Sequence, residues 1–523
     1  MYRRLRFNLR MVLPLLIVMA AGCATLPDLP PRSAELAVQN VTSSPLARLA
    51  AASAPAERPD WSGFRLFYSG ESAFNARIAL ARRATHSLDV QVYHLADDET
   101  GRGLLRELRD AAQRGVRVRV LVDDLHVAED ELLAGLTAFP NARVRLFNPL
   151  PARGGSPKSR LLRSLHEFDR VNHRMHNKLF VADNSFAITG GRNVADEYFM
   201  NNPQANFLDL DVLCTGPVVR EMSAVFDEYW NSELTRSIDA LIPLGDAQER
   251  RERFNEAVSG ATNRLGERQR DAFGRTSFLR QLAKGQLTLD HGPARVLADS
   301  PYKAAGPDGA NDRPTVASQV LALLASANDE ALVMSPYFIP GERGMQVVRE
   351  VSAGKPGRIT LLTNSFGATD EPLAYAGYER YRLDLLKAGV RIFELSPKLA
   401  RDSGRVAYFG DTIGRLHAKS LAIDRRWLFV GSLNLDPRSS HTNTEMGLVI
   451  DSAVLAQMVG GIYRRATNSG AFRLRLAPDS ERIEWVETDW QGHESIHVAE
   501  PDDDPWLRLK LLLLKPLISE ELL

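Results

Sequence analysis

Short runs of alternating apolar and polar residues recur along this chain. Stretches with apolar residues every three or four positions separate them. Residues 87–95 (SLDVQVYHL), 116–122 (VRVRVLV) and 143–147 predict strands. Residues 72–84 set Phe74, Ile78 and Leu80 at helical spacing, and residues 103–114 are amphipathic and stopped by Gly115. The second half repeats the order. A helix is predicted over 316–325, strands over 331–339 and 359–363, a helix over 373–388 stopped by Gly389, and a strand over 390–395. Strand, helix, strand alternation predicts an α/β sandwich.

The repeat is sharpest in two apolar hairpins that share a polar frame. HNKLFVADNSFAITGGRN carries His176, Lys178, Asp183, Gly191 and Asn193. HAKSLAIDRRWLFVGSLN carries His417, Lys419, Asp424, Ser432 and Asn434. The offset is constant, since 417 − 176 = 241 and 434 − 193 = 241. Tyr93 and Tyr337 stand at 337 − 93 = 244, close to it. A doubled unit is therefore expected, with the two histidines facing one cleft across a pseudo-twofold axis. In each copy His-x-Lys puts both side chains on one face of a strand. The Asp pair at the turn reverses the chain, which suggests a structural role for Asp183 and Asp424. The hairpin return brings Asn193 or Asn434 back beside the imidazole and the ammonium. That set, taken twice, describes a pocket for a phosphate anion. Each histidine needs an orienting carboxylate. The candidates are Glu445 downstream of the second copy and Asp209 downstream of the first, with Asp211 as the alternative.

Composition narrows the picture. A chain of 523 residues exceeds one ordinary core. Lys plus Arg and Asp plus Glu are 65 each, so there is no general attraction to nucleic acid. Arg3, Arg4, Arg6 and Arg10 precede an apolar run over 11–22 that is too short for a permanent span. With only Cys23 and Cys214 present, no disulfide framework is expected, and Cys214 reads as a core residue. The expected parts are a signal over 1–23, a flexible tether over 24–60 and a first sandwich domain over 61–235. A helical connector over 236–290, a second sandwich domain over 291–480 and an acidic linker with an amphipathic segment over 481–523 follow.

The two frames fit H-x-K-x4-D-x6-G-[GS]-x-N at every position and resemble the phospholipase D superfamily. SPYFIPG and DPRSSHTNTEMG resemble its bacterial cardiolipin synthases of the C type. The resemblance implies a phosphatidyltransferase acting on membrane phospholipids, phosphatidylglycerol and phosphatidylethanolamine among them, as a monomer and without a cofactor or metal. It implies a phospho-histidine, and favours His176 as nucleophile; the symmetry of the sequence does not choose. A hydrolase, a nuclease and a catalytically silent lipid-binding lipoprotein are the alternatives. Ala20-Ala21-Gly22-Cys23 resembles a bacterial lipoprotein signal. It implies a lipid anchor on Cys23 at the periplasmic side of the envelope, and the following Ala24-Thr25 implies the outer membrane. Arg153, Lys158, Arg160, Arg163, Arg170 and Arg174 precede His176 and are candidates for gripping anionic headgroups.

Overall fold

The computed structural model describes residues 26–27 and 32–514, apart from 40, 127–129, 156, 262–268, 307–312, 404–411, 480, 490 and 503–504. Cys23 and the signal segment lie outside the described residues. The first half supplies β1 (Ser62–Phe67), β2 (Ser87–Val92), β3 (Arg117–Asp123), β4 (Ala142–Phe147), β5 (Leu179–Ala182), β6 (Phe186–Gly190), β7 (Ala205–Leu208), β8 (Asp211–Thr215), β9 (Thr235–Ser237) and β10 (Asp290–Gly292). The second half supplies β11 (Ala294–Ala298), β12 (Ala331–Met334), β13 (Ile359–Asn364), β14 (Arg391–Leu395), β15 (Ile413–Leu416), β16 (Ser420–Ile423), β17 (Trp427–Gly431), β18 (Met446–Asp451), β19 (Ala471–Leu476), β20 (Ile483–Thr488) and β21 (Glu494–His497).

Strand order shows the duplication directly. One sheet runs β10-β1-β8-β6-β5-β2-β3-β4-β9, the other β11-β18-β17-β16-β12-β13-β14-β19-β20-β21. From β1 to β9 and from β11 to β19 the two orders correspond strand for strand. In both, the two parallel pairs, β2–β3–β4 and β12–β13–β14, adjoin an antiparallel hairpin. The sheets are the expected α/β sandwiches. Separate cores lie under the outer helices of each sheet. A third core draws Val219 and Phe226 from helix Pro217–Asn231 together with Leu455 and Ile462 from helix Ala453–Ser469, and joins the halves. Cys214 lies in that shared core, free and buried, which pushes its thiol pKa up.

Each motif hairpin turns through two residues in the left-handed region: Asp183 and Asn184 at φ 50° and 47°, Asp424 and Arg425 at φ 50° and 55°. Two central residues with positive φ make the tight turn that matches strand twist. The aspartates also pin the neighbouring strand. Asp183 accepts from the amides of His86 (2.8 Å) and Ser87 (3.0 Å) at the start of β2. Asp424 accepts from Asn328, Asp329 and Glu330 at 2.7–3.0 Å, ahead of β12. Their place in the motif is structural, and neither contacts an imidazole. Asp424→Ala should cost about 1–3 kcal/mol of stability by orphaning these amides. A thermal melt should show the loss, with kcat of the folded protein within about threefold of wild type.

Two expectations about the chain's parts need correction. The tether is not loose over residues 32–53. Glu35 pairs with Arg143 (2.7 Å) and Arg145 (3.0 Å), and the Ala37 amide donates to Asp227 at 2.6 Å. Helix Pro45–Ala52 buries Leu46 and Leu49. The connector carries helices Ala247–Ser259 and Phe278–Ala283; β9 and β10 at its ends are edge strands of the first sheet, and Phe254, Val258 and Phe278 fill its core. The second sheet runs past residue 480 through β20 and β21. Helix Pro505–Leu514 docks on the second half, where Leu511 is buried and Arg508 pairs with Glu379 at 3.2 Å. Among the described residues no helix is long and apolar enough to cross a membrane.

Candidate active site

Backbone pairing between the halves builds the site. β15, which leads into His417, runs parallel to β7, which leads into Asp209. Met175, just before His176, bridges Thr444, just before Glu445. The His417 amide donates to the Leu208 carbonyl (2.8 Å), and the His176 amide donates to the Thr444 carbonyl (2.9 Å). Each histidine is thereby held in register with the carbonyl one residue ahead of the other copy's carboxylate. The side chains follow. His176 Nδ1 lies 3.0 and 3.1 Å from the Glu445 oxygens, and His417 Nδ1 lies 2.7 Å from Asp209 Oδ2. The carboxylates cross between halves, each orienting the histidine of the opposite copy. Where Nδ1–H is donated to the carboxylate, Nε2 faces away from it and is left to attack or to carry a proton; Lys419 Nζ also lies 3.0 Å from His417 Nδ1.

The rest of both motifs gathers here. His176, His417, Lys178, Lys419, Asn193 and Asn434 are all buried. The lysines are held by their own histidine carbonyls, Lys178 Nζ at 2.7 Å and Lys419 Nζ at 2.6 Å. Asn193 Nδ2 donates to the Tyr198 hydroxyl at 2.9 Å. The Oδ1 atoms of Asn193 and Asn434 are buried and unpartnered among the described residues. The amide ends are interchangeable by a flip. Each asparagine can thus turn a donor toward a phosphoryl oxygen. The hairpin ends differ with their carboxylates. A Cβ on Gly191 would come within 2.2 Å of Asp209 Oδ1. At the matching place Ser432 donates its hydroxyl to Glu445.

The two half-sites differ in charge. Burial pushes Asp209 up, but His417, Lys419 and Arg192 outweigh it and hold the carboxyl at about 2. Burial raises Glu445 to about 7, against the pull of Lys178 and Ser432. Burial lowers both imidazoles. His176 is pushed well down, also by Lys178, Lys419 and His417. For His417, Asp209 opposes the fall. Burial also brings Lys419 to about 8. Because the Glu445 pKa is raised, its charged form is lost as pH falls through about 7, and with it the hold on His176 Nδ1–H. Activity should therefore rise with pH through about 7. Glu445→Gln should remove that limb from a kcat/KM profile, which otherwise reports the coupled set of groups.

Several expectations change. Asp211 orients no histidine; it pairs with Arg77 (3.0 Å) and Arg192 (3.5 Å). The basic stretch ahead of His176 is turned largely inward. Arg153 and Arg160 pair with Asp124 at 2.8 and 2.9 Å, and Arg174 with Asp123 at 3.3 Å. Arg170 pairs with Glu167 at 2.5 Å, and Arg163 donates to the Arg153 carbonyl at 3.1 Å. The Lys158 side chain lies outside the described residues. The pairs brace the loop against the sheet rather than presenting a headgroup clamp. Residues absent from the sequence-based site also line it. Tyr93 lies edge-on to His176 at 5.0 Å, under Lys178 at 5.2 Å, and Tyr198 lies edge-on to His417 at 5.0 Å. The 244-residue spacing of Tyr93 and Tyr337 was the only signal for the first.

A duplicated sandwich with one pocket shared between its halves places the protein among enzymes of the phospholipase D type. Within that class the chain belongs to the cardiolipin synthase family. The family model for the cardiolipin synthase, phospholipase D-like domain matches residues 78–230 and 320–465. The chain is 35% identical over 482 residues to cardiolipin synthase C of Escherichia coli (strain K12), covering 91% of this chain and 100% of that protein. It is 28% identical over 393 residues to cardiolipin synthase A of Pseudomonas fluorescens (strain SBW25), covering 74% of this chain and 65% of that one. Phosphatidylserine synthase of Haemophilus influenzae Rd KW20 shares the fold, with TM-score 0.56 at 14% identity over 90% of this chain and 95% of that structure.

Proposed function

We propose that the protein transfers a phosphatidyl group to the free glycerol hydroxyl of phosphatidylglycerol, making cardiolipin through a phosphatidyl-histidine. The observation that carries this is the crossed pairing of His176 with Glu445 and His417 with Asp209. It gives two oriented imidazoles with free Nε2 atoms beside one set of phosphate donors. His176, kept neutral by burial and by nearby lysines, is the nucleophile. His417, beside a carboxylate held ionised at about 2, is the better seat for a proton.

The steps balance. His176 Nε2 bonds to phosphorus as the bond to the departing headgroup oxygen breaks, and His417 gives that oxygen its proton. The hydroxyl of phosphatidylglycerol then attacks phosphorus and passes its proton to His417. The phosphorus–nitrogen bond breaks, and both imidazoles return to their starting states. Lys178, Lys419, Asn193 and Asn434 hold the phosphoryl oxygens throughout, a role worth about 3–4 kcal/mol of barrier per preorganised donor. The donors are phosphatidylglycerol and phosphatidylethanolamine, and the site is complete in one chain. In keeping with the signal resemblance, the enzyme works lipid-anchored at Cys23 on the periplasmic side of the envelope.

The test is incubation of purified protein with defined phospholipid vesicles, in excess EDTA, with products read by mass. Cardiolipin is expected at a rate unchanged by EDTA, since the two lysines and two asparagines hold the phosphoryl oxygens. Phosphatidic acid alone would make water the acceptor and the protein a hydrolase. No product would leave a lipid-binding protein.

A further inference from the structure

One carboxylate at the site takes no part in the steps above. Asp370 follows the short helical turn Phe366–Ala368 at the carboxyl end of β13, beside Tyr337 at the carboxyl end of β12. Ligands of parallel strands bind at such ends. The turn Phe366–Ala368 packs on β15, the strand that leads into His417. Asp370 engages the Tyr337 hydroxyl and lies within electrostatic reach of His417 and Lys419. Its Oδ1 is buried and has no hydrogen-bond partner among the described residues.

At the matching strand end of the first half, the carboxylates are placed differently. At the carboxyl end of β3, Asp123 is paired with Arg174, and Asp124 with Arg153 and Arg160. Those carboxylates are spent on arginines, whereas Asp370 Oδ1 faces no donor. Beside a pocket for an anion, an open carboxylate oxygen repels the phosphate it would share space with. A buried polar atom in that state is costly unless a ligand satisfies it. The ligand group that does so must donate a hydrogen bond, and it must sit on the His417 side, where the departing alcohol is protonated.

We infer that Asp370 Oδ1, with Tyr337, receives the headgroup of the phosphatidyl donor, selecting a small alcohol that carries a hydrogen-bond donor on the carbon next to the ester carbon. Ethanolamine offers an ammonium there and glycerol a hydroxyl. In both, that group stands three bonds from the ester oxygen that His417 protonates. The inference rests on the phosphatidyltransferase reading and adds a specificity element to it. Asp370 is a specificity residue rather than part of the bond-breaking machinery.

The experiment uses the full chain and vesicles holding a fixed amount of phosphatidylglycerol acceptor. The donor is phosphatidylethanolamine, phosphatidylglycerol or phosphatidylethanol, each marked by its acyl-chain mass. Phosphatidylethanol has the same reacting phosphate and no donor group on its headgroup. Asp370→Ala should lower transfer from the first two by about 10- to 100-fold, the loss of a charge-assisted hydrogen bond, and leave phosphatidylethanol within about threefold. Asp370→Asn keeps a neutral acceptor. It should stay defective with phosphatidylethanolamine if the ammonium is the group received, and recover with phosphatidylglycerol if the hydroxyl is. The comparison is a ratio between donors in one preparation, so partial misfolding cancels. An equal loss on all three donors would show that Asp370 acts through His417 instead, and unchanged rates would show that it binds nothing; either overturns the inference. Wild-type protein that transfers from no donor would overturn the transferase reading itself, and this assignment with it.

Discussion

His176→Ala and His417→Ala each lose about 10⁴- to 10⁶-fold in turnover while the protein remains folded, because each removes one member of a pair that acts as a unit. The two losses differ in kind. A phosphatidyl ester of p-nitrophenol leaves as a stable phenolate and needs no proton. With that donor His417→Ala should regain about 10²- to 10⁴-fold in the release of p-nitrophenol, the share that general acid catalysis supplies. His176→Ala should regain nothing, since the imidazole assigned to carry the phosphatidyl is gone. Equal rescue of both variants would remove the assignment of roles. The variants should keep a cooperative melt, for each leaves one buried carboxylate with a remaining partner: Glu445 keeps the Ser432 hydroxyl and Asp209 the Leu210 amide.

Glu445→Gln and Asp209→Asn should each cost about 10³- to 10⁴-fold in kcat, with the backbone geometry intact. An amide in place of the carboxylate can donate to Nδ1 and so favour the wrong tautomer, taking the lone pair away from Nε2. The p-nitrophenyl donor separates them again. Asp209→Asn acts on the proton donor and should be largely relieved. Glu445→Gln acts on the nucleophile and should not be. If the pairing ran within each half instead, the pattern would be reversed, with Glu445→Gln relieved and Asp209→Asn not.

The duplicated motif was legible because it is local. Six positions in each hairpin fall within eighteen residues, and strand alternation with a tight turn suffices to place them. The doubled sandwich was legible for the same reason. The crossing of the carboxylates was not. It depends on β7 meeting β15, two four-residue strands about two hundred residues apart whose pairing no period announces. The basic stretch before His176 misled for a related reason. Its partners Asp123 and Asp124 lie some thirty to fifty residues upstream, and a run of charge says nothing of what lies opposite after folding. The docking of residues 32–53 rests on scattered contacts, Glu35 with arginines of β4, Ala37 with a helix and Leu46 and Leu49 in the core, in a segment rich in Ala, Pro and Ser. Asp370 carried no signal in sequence, for it belongs to no repeat. Its interest lies in a buried oxygen that has no hydrogen-bond partner among the described residues.

The account stands on one imidazole carrying the phosphatidyl group while its twin moves the proton. The direct measurement is a single turnover with a defined phospholipid donor and no acceptor, stopped without acid because a phosphorus–nitrogen bond hydrolyses there, followed by peptide mass mapping. A phosphatidyl adduct on His176, absent from His417 and absent in His176→Ala, is the predicted result. An adduct on His417, or cardiolipin formed with no adduct on either ring, would contradict it.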